Sequence, residues 1–212
     1  MKPESSQITG CVLAGGRARR MGGRDKGLLL FRGRPLVSYA LEALKTVTGR
    51  VIINANRNLD RYAEFGCPVV PDATGSFDGP LAGLSSALNW AESEFVLTVP
   101  CDSPLVTGIL LSRLVDEFRD PDIEIAVADD GERLHPVFLL ARRSVATSLD
   151  RYLRRGGRKI DPWLREHRLA RTDFSDVPEL FYNVNTPEEL KSLEEDYQVG
   201  SGHADGTNEF GR

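Results

Sequence analysis

The stretch ITGCVLAGGRARRMGGRDKG, residues 8–27, decides the fold class of this chain. Its first six residues are apolar or β-branched in the main and are followed almost at once by a glycine pair, the pattern of a buried strand feeding a loop. From Leu13 to Gly27 the loop carries Gly15, Gly16, Gly22, Gly23 and Gly27 among Arg17, Arg19, Arg20, Arg24 and Lys26, with Asp25 as its one acid. Glycine lets a backbone approach an anion and turn its amide hydrogens toward it, while arginine and lysine match the charge of phosphate oxygens. A polyphosphate asks for that combination. The dinucleotide pattern GxGxxG is absent, and the P-loop pattern GxxxxGK[ST] fails because Lys26 precedes glycine. A solvated surface charge run is the plain alternative, but a glycine-rich loop leaving a buried strand argues against it.

Outward from this loop, VIIN (51–54), CPVV (67–70) and FVLTV (95–99) read as further buried strands, with helical apolar spacing over about 36–47, 59–64 and 81–91 between them. Pro35 stands where the first of these helices can begin. Such alternation predicts a mostly parallel sheet covered by helices, with ligands bound beyond the carboxyl ends of the strands. The four runs lead to Gly15, Asn54, Asp72 and Asp102, which are therefore expected on one rim. Further on, Leu105, Ile109, Leu110, Leu114, Val115 and Phe118 mark a helix, and IEIAV (123–127) and LHPVFLL (134–140) flank a DDGE turn as two strands. Thr186, Pro187 and Glu189 form a helix start of the S/T-x-x-E kind, opening a last helix to about 196. The expectation is one α/β domain over residues 1–196, a three-layer αβα arrangement of Rossmann-like type, followed by a glycine-rich polar tail, 197–212, that is disordered.

Composition narrows the function classes. With 212 residues, 41% hydrophobic and 27% charged, and a net charge of -4, the chain has no broad attraction for nucleic acid or anionic lipid, so the basic loop is a local feature. No leader-like segment and no run approaching the roughly 20 apolar residues of a membrane span is seen, and a cytoplasmic protein is expected. Cys11, Cys67 and Cys101 are widely spaced in apolar runs and read as reduced core residues, with neither a disulfide framework nor a zinc site. His135 reads as a structural histidine in a strand, and His167 and His203 form no metal-ligand pattern. No Ser/His/Asp or Cys/His arrangement is evident.

The loop resembles the signature of nucleotidyltransferases with the glycosyltransferase A type fold, a nucleotide-diphospho-sugar transferase-like architecture. Its wording R-R-M-G-G and D-K-G resembles the molybdenum cofactor guanylyltransferases. NANR (54–57), VVPD (69–72), GPLAGL (79–84), VPCDSP (99–104) and FYNVNTPEEL (181–190) are similar to that family's other blocks, in order and at suitable spacing. Together they span residues 8 to about 195.

This resemblance implies transfer of GMP from GTP to the terminal phosphate of molybdenum-carrying molybdopterin, with release of pyrophosphate and dependence on Mg2+. It implies that Lys26 contacts the GTP phosphates, with Arg20 as a companion, that Asp102 is the metal ligand, and that Leu13, Ala14, Gly15, Asn54 and Asp72 hold the nucleotide. Gly79, Gly83, Asn183 and Asn185 are candidates for the acceptor side, although turn and cap duty accounts for them equally. The basic run RYLRRGGRK (151–159) is a candidate for the pterin phosphate, with a solvated helix end as the plainer account. The resemblance further suggests a monomeric or weakly associating enzyme in contact with the molybdenum insertase and with molybdoenzyme chaperones. A cytidylyltransferase of the same cofactor, a sugar 1-phosphate nucleotidyltransferase and a nonenzymatic nucleotide-binding regulator are the alternatives. The chemistry suits the residues: an attacking phosphate monoester has a second pKa of about 6 and is already largely a dianion at neutral pH, so no general base is needed. Two anions must still be brought together, and charge neutralisation and positioning supply most of the catalysis in such transfers.

Overall fold

A computed structural model of the chain describes residues 2–16, 24–73 and 79–201, with side chains up to Asp196. Strand β1, Ile8–Leu13, is followed by a 3-10 turn Lys26–Leu28, a small hairpin of β2 (Leu30–Phe31) and β3 (Arg34–Pro35), and helix α1, Leu36–Lys45. The hairpin turns on Arg32 and Gly33, both at positive φ (51° and 75°), the conformation of a two-residue hairpin turn. Then come β4 (Arg50–Asn54), α2 (Leu59–Ala63), β5 (Val69–Val70), α3 (Pro80–Trp90) and β6 (Phe95–Pro100). The second half holds α4 (Gly108–Asp116), β7 (Ile125–Asp129), β8 (Leu134–Arg142), α5 (Ala146–Arg154), α6 (Ile160–Leu164), β9 (Leu169–Asp173) and α7 (Pro187–Ser201). Arg20 lies outside the described residues, as do residues 202–212.

The main sheet has seven strands in the order β5-β4-β1-β6-β8-β7-β9. β1 pairs in parallel with β4 and β6, β4 with β5, and β7 with β9, while β8 runs antiparallel to both of its neighbours. The parallel strands at the centre are buried on both faces, which explains why their sequences read as unbroken apolar runs. Side chains alternate between two layers. Ile8, Val12, Phe95, Leu97 and Val99 pack with α1 and α4 through Val37, Leu44 and Leu114; Cys11, Val96 and Val127 pack with α3, α5 and α6 through Leu84, Leu149 and Trp163. A smaller cluster of Phe31, Leu36, Val184 and Leu193 seats the hairpin and α7 against α1. The three-layer αβα arrangement is thus as expected.

One expected helix start moves, and the basic run takes the plainer of its two readings. The helix read from Leu105 to Phe118 starts only at Gly108, because Thr107 caps it by accepting from the Leu110 amide at 3.3 Å, and Ile109 is 81% exposed on its outer face. The basic run 151–159 closes α5: the Arg158 guanidinium donates to the Leu153 and Gly157 carbonyls, and Gly156 takes φ 85° after the last turn.

Candidate active site

Lys26 opens the 3-10 turn that follows the basic loop, and its ammonium donates to Asp102 Oδ2 at 2.8 Å and to Asn185 Oδ1 at 2.7 Å. Each partner is fixed by its own element. Asp102 continues the line of β6 past the sheet, where the Cys101 amide donates to the Leu13 carbonyl at 3.1 Å and the Asp102 carbonyl accepts the Val184 amide at 2.9 Å. Asn185 sits at the start of α7. Thr186 caps that helix, accepting from the Glu189 amide at 3.1 Å, and Glu189 reaches back to the Asn185 amide at 2.6 Å. The capping motif legible in the sequence therefore orients a site residue. Asn183 accepts a hydrogen bond from Ser103, and the Asn183 carbonyl takes the Asn185 side-chain amide at 3.0 Å. The two asparagines from NVNTP thus stand beside Lys26 and Asp102.

Asn54, the last residue of β4, builds the other end. Its Nδ2 donates to the Val70 carbonyl at 3.0 Å and to Asp72 Oδ1 at 2.9 Å. Asn56 donates to Asp72 Oδ2 at 2.7 Å and accepts from the Asp72 amide at 2.8 Å. Both donor positions of Asn54 are spent, and its Oδ1 faces Gly15 and Gly83. Gly83 lies one turn inside the buried helix α3, and a Cβ there would run into Asn54 Oδ1 and Leu13. Its glycine serves that close approach. Gly79 precedes the helix at φ 82°, a backbone setting in which a side chain is strained.

Between the two ends runs a cleft of about 360 Å³, lined among others by Ala14, Gly15, Lys26, Asn54, Asp102 and Asn183. Gly15, Asn54 and Asp102 border it directly, and Asp72 reaches it through Asn54, so the four strand ends do converge. Leu13 and Gly79 also line it. Two acids line it, Asp25 and Asp102, and the Asp102 side chain is 14% exposed. No cluster of three or more His, Cys, Asp or Glu exists among the described residues, so a full protein cage for a metal is absent there. One carboxylate beside amide oxygens, open to a cleft, fits a magnesium ion that keeps waters and takes substrate phosphates.

Several participants are not marked as site residues by the sequence. Arg57 donates to the Gly16 carbonyl at 3.1 Å, and Asn58 and Tyr62 hold Asp25, so the segment after β4 grips both described ends of the basic loop. The polar run NANRN after a strand end is the one hint, while Tyr62 on the short helix α2 has none. The cysteines are free: burial pushes the Cys11 thiol up to about 12, and burial and then Asp102 raise Cys101, so neither is a nucleophile at neutral pH. His135 is buried, its Nε2 2.6 Å from Asp130 and its ring stacked on Phe181, a structural placement.

The profile of the MobA-like NTP transferase domain matches residues 10–172. A molybdenum cofactor guanylyltransferase of Shewanella loihica is 44% identical over 191 residues, 90% of this chain and 97% of that protein. One from Shewanella sp. strain MR-4 is 46% identical over 189 residues, 89% and 96% of the two chains. Among solved structures, molybdopterin-guanine dinucleotide biosynthesis protein A from Archaeoglobus fulgidus superposes with a TM-score of 0.76 at 22% identity, covering 90% of this chain and 99% of its own. A nucleotidyl transferase from Methanothermobacter gives 0.72 at 21%, covering 92% and 99%. These two establish the likeness of fold, and the sequence relatives establish the kinship. The chain is a nucleotidyltransferase that belongs to the MobA-like family, among the molybdenum cofactor guanylyltransferases.

Proposed function

We propose that the chain transfers GMP from GTP to the terminal phosphate of molybdopterin carrying molybdenum, with Mg2+ as the required cation. The observation that supports this most is the meeting of the Lys26 ammonium with the Asp102 carboxylate and the Asn185 amide oxygen, beside a cleft that Lys26 and Asp102 line. In the reaction an oxygen of the acceptor phosphate forms a bond to the α-phosphorus of GTP as the bond from that phosphorus to the bridging oxygen of the β-phosphate breaks, and pyrophosphate leaves. The acceptor needs no base, being largely a dianion at neutral pH. Lys26 turns from Asp102 to the triphosphate, where its charge offsets the repulsion between the reactants and steadies the leaving pyrophosphate. Asp102 would hold Mg2+, which supplies further charge neutralisation when bound. Asn183 and Asn185 donate side-chain N–H groups to the acceptor phosphate from the side of α7. Arg20 is proposed as a second cation on the phosphates.

At the opposite end, Ala14, Gly15, Asn54 and Asp72 border the base and ribose. Guanine offers N1–H and an exocyclic amine as donors, which an acceptor such as Asn54 Oδ1 suits. The enzyme acts as a monomer in the cytoplasm and passes its product to the insertase and to molybdoenzyme chaperones. Incubation of the protein with each of the four nucleoside triphosphates and molybdenum-loaded molybdopterin, followed by mass analysis, tests this directly. Guanine incorporation is expected; incorporation of cytidine alone would replace the assignment with a cytidylyltransferase of the same cofactor.

A further inference from the structure

The D-K-G segment carries a set of contacts that the transfer itself does not use. Asp25 borders the cleft, yet both of its carboxylate oxygens are engaged from behind: Oδ1 accepts the Tyr62 hydroxyl at 2.5 Å and Oδ2 accepts the Asn58 amide at 2.9 Å. Tyr62 is fully buried on α2. Asn58 sits just before that helix in the left-handed region at φ 51°, and its carbonyl accepts the Tyr62 amide at 3.0 Å. The two donors are therefore fixed to one another by the first turn of α2. Gly27, on the other side of Lys26, packs so closely on the same tyrosine that a Cβ would lie 2.5 Å from its hydroxyl oxygen, with Cys101 Cβ at 3.3 Å. One phenol thus touches the residue before Lys26 and the residue after it.

Two physical consequences follow. A lysine side chain has four rotatable bonds, so its ammonium finds a fixed point only if the Cα from which it starts is held. Here that Cα is held from both neighbours. Moreover, a carboxylate facing a site for a triphosphate repels it, and hydrogen bonds from Tyr62 and Asn58 both turn Asp25 away and delocalise its charge. Burial, with Asp25 beside it, raises the Tyr62 phenol far above its ordinary value, so the hydroxyl remains a donor at every working pH.

We infer that Tyr62 and Asn58 are positioning residues for the nucleotide triphosphate: acting through Asp25, they set the backbone of Lys26 so that its ammonium meets the phosphates. This rests on the reading of the cleft as a triphosphate site. Calorimetric titration with GTP, with the full chain and no acceptor present, tests it through four proteins: wild type, Tyr62→Phe, Lys26→Ala and the double variant. Phenylalanine fills the ring's space, so folding is retained and is checked by Tm. Tyr62→Phe is expected to weaken GTP at least tenfold, Lys26→Ala by more, and the double variant no more than twofold beyond Lys26→Ala, because both changes remove one interaction. A GTP affinity of Tyr62→Phe within twofold of wild type, or losses that multiply in the double variant, would overturn the inference and leave Tyr62 a packing residue. If Lys26→Ala alone leaves GTP affinity unchanged, the triphosphate reading of the cleft fails together with the clamp, and that result is distinct from either of the others. Asp25→Asn offers a rescue. Its amide keeps an acceptor for Tyr62 and can pair with a flipped Asn58 amide, so it should retain most of the affinity that Asp25→Ala loses. Should Tyr62→Phe fold poorly, Asn58→Gly preserves the left-handed backbone, removes one donor, and is expected to weaken GTP severalfold; no weakening would count against the inference.

Discussion

At one end of the cleft Lys26, Asp102 and Asn185 come from three distant parts of the chain and meet through a formal charge; at the other, Asn54, Asn56 and Asp72 come from two neighbouring strand ends and meet through side-chain amides. The first set is exchangeable, since an ammonium that rests on a carboxylate can pass to a phosphate without losing its charge partner. The second is locked: the Asp72 carboxylate has a donor on each oxygen, and both N–H groups of Asn54 are taken. A region meant to change partners during a reaction is assembled from ions, while a region meant to keep its shape is assembled from satisfied amides. Damage at the first end should therefore appear in turnover as well as in affinity, and damage at the second in affinity with turnover largely spared.

The largest test of that contrast lies with the ions. Asp102→Ala should remove magnesium-dependent turnover while the chain still folds, and Lys26→Ala should lower the rate by about 10²–10³-fold, the scale of losing a charge donor at a transition state. Near-native rates in either variant would break the contrast at its stronger end. Next comes Gly83→Ala, which forces a methyl group against Asn54 Oδ1 and Leu13. Overpacking of this kind costs about 1–3 kcal/mol. A fall in Tm of several degrees should accompany a rise in KM for GTP, with kcat much less affected; a kcat loss as great as that of Lys26→Ala would mean the two ends are not separable. Asn56→Ala is milder. It removes one donor and one acceptor from Asp72, worth about 1–3 kcal/mol if water does not replace them, so severalfold weaker GTP binding at unchanged saturated turnover is expected.

The smallest effect concerns the wall behind the NVNTP loop, where the Asp130 carboxyl is held down at about 2, chiefly by its hydrogen bond with His135 and then by the Arg133 amide. Its ordinary value is 3.8, so the folded state is the weaker proton binder and the stabilisation is fully present above that value. It is lost as the pH falls from about 4 toward 2. Melting curves of wild type and Asp130→Asn should accordingly be well separated at pH 6 and converge toward pH 2; a separation that persists at pH 2 would mean the pairing does not work through charge.

Much of this arrangement can be read from residue order. The apolar runs of β1, β4, β5 and β6 each give way to a glycine or a side chain that polar chemistry needs, and the sheet's parallel centre follows from their alternation with helices. The glycine and arginine content of the loop pointed to a phosphate-bearing ligand, in keeping with the NTP transferase domain to which it belongs, and Thr186 and Glu189 announced α7. Other parts left no trace. That β8 lies beside β6 is invisible because alternation does not say which strand runs alongside, and β9, five residues of mixed exposure at a sheet edge, looks like a loop. Ile109 fits a helical pattern but faces outward, since periodicity marks a face without saying whether anything covers it. Tyr62 and Asn58 reach Asp25, the residue before Lys26, and the contact depends on where a five-residue helix lands, which no local pattern encodes.

Lys26 and Asn185 are separated by 159 positions, yet they share a hydrogen bond. During synthesis the strands that form the sheet's centre are made first, and Asn185 follows 43 residues after β8 ends at Arg142. The lysine lacks its second anchor until the segment preceding α7 has been made and has docked. A chain cut short after β9 would hold all seven strands of the main sheet and still lack the Asn185 partner of Lys26.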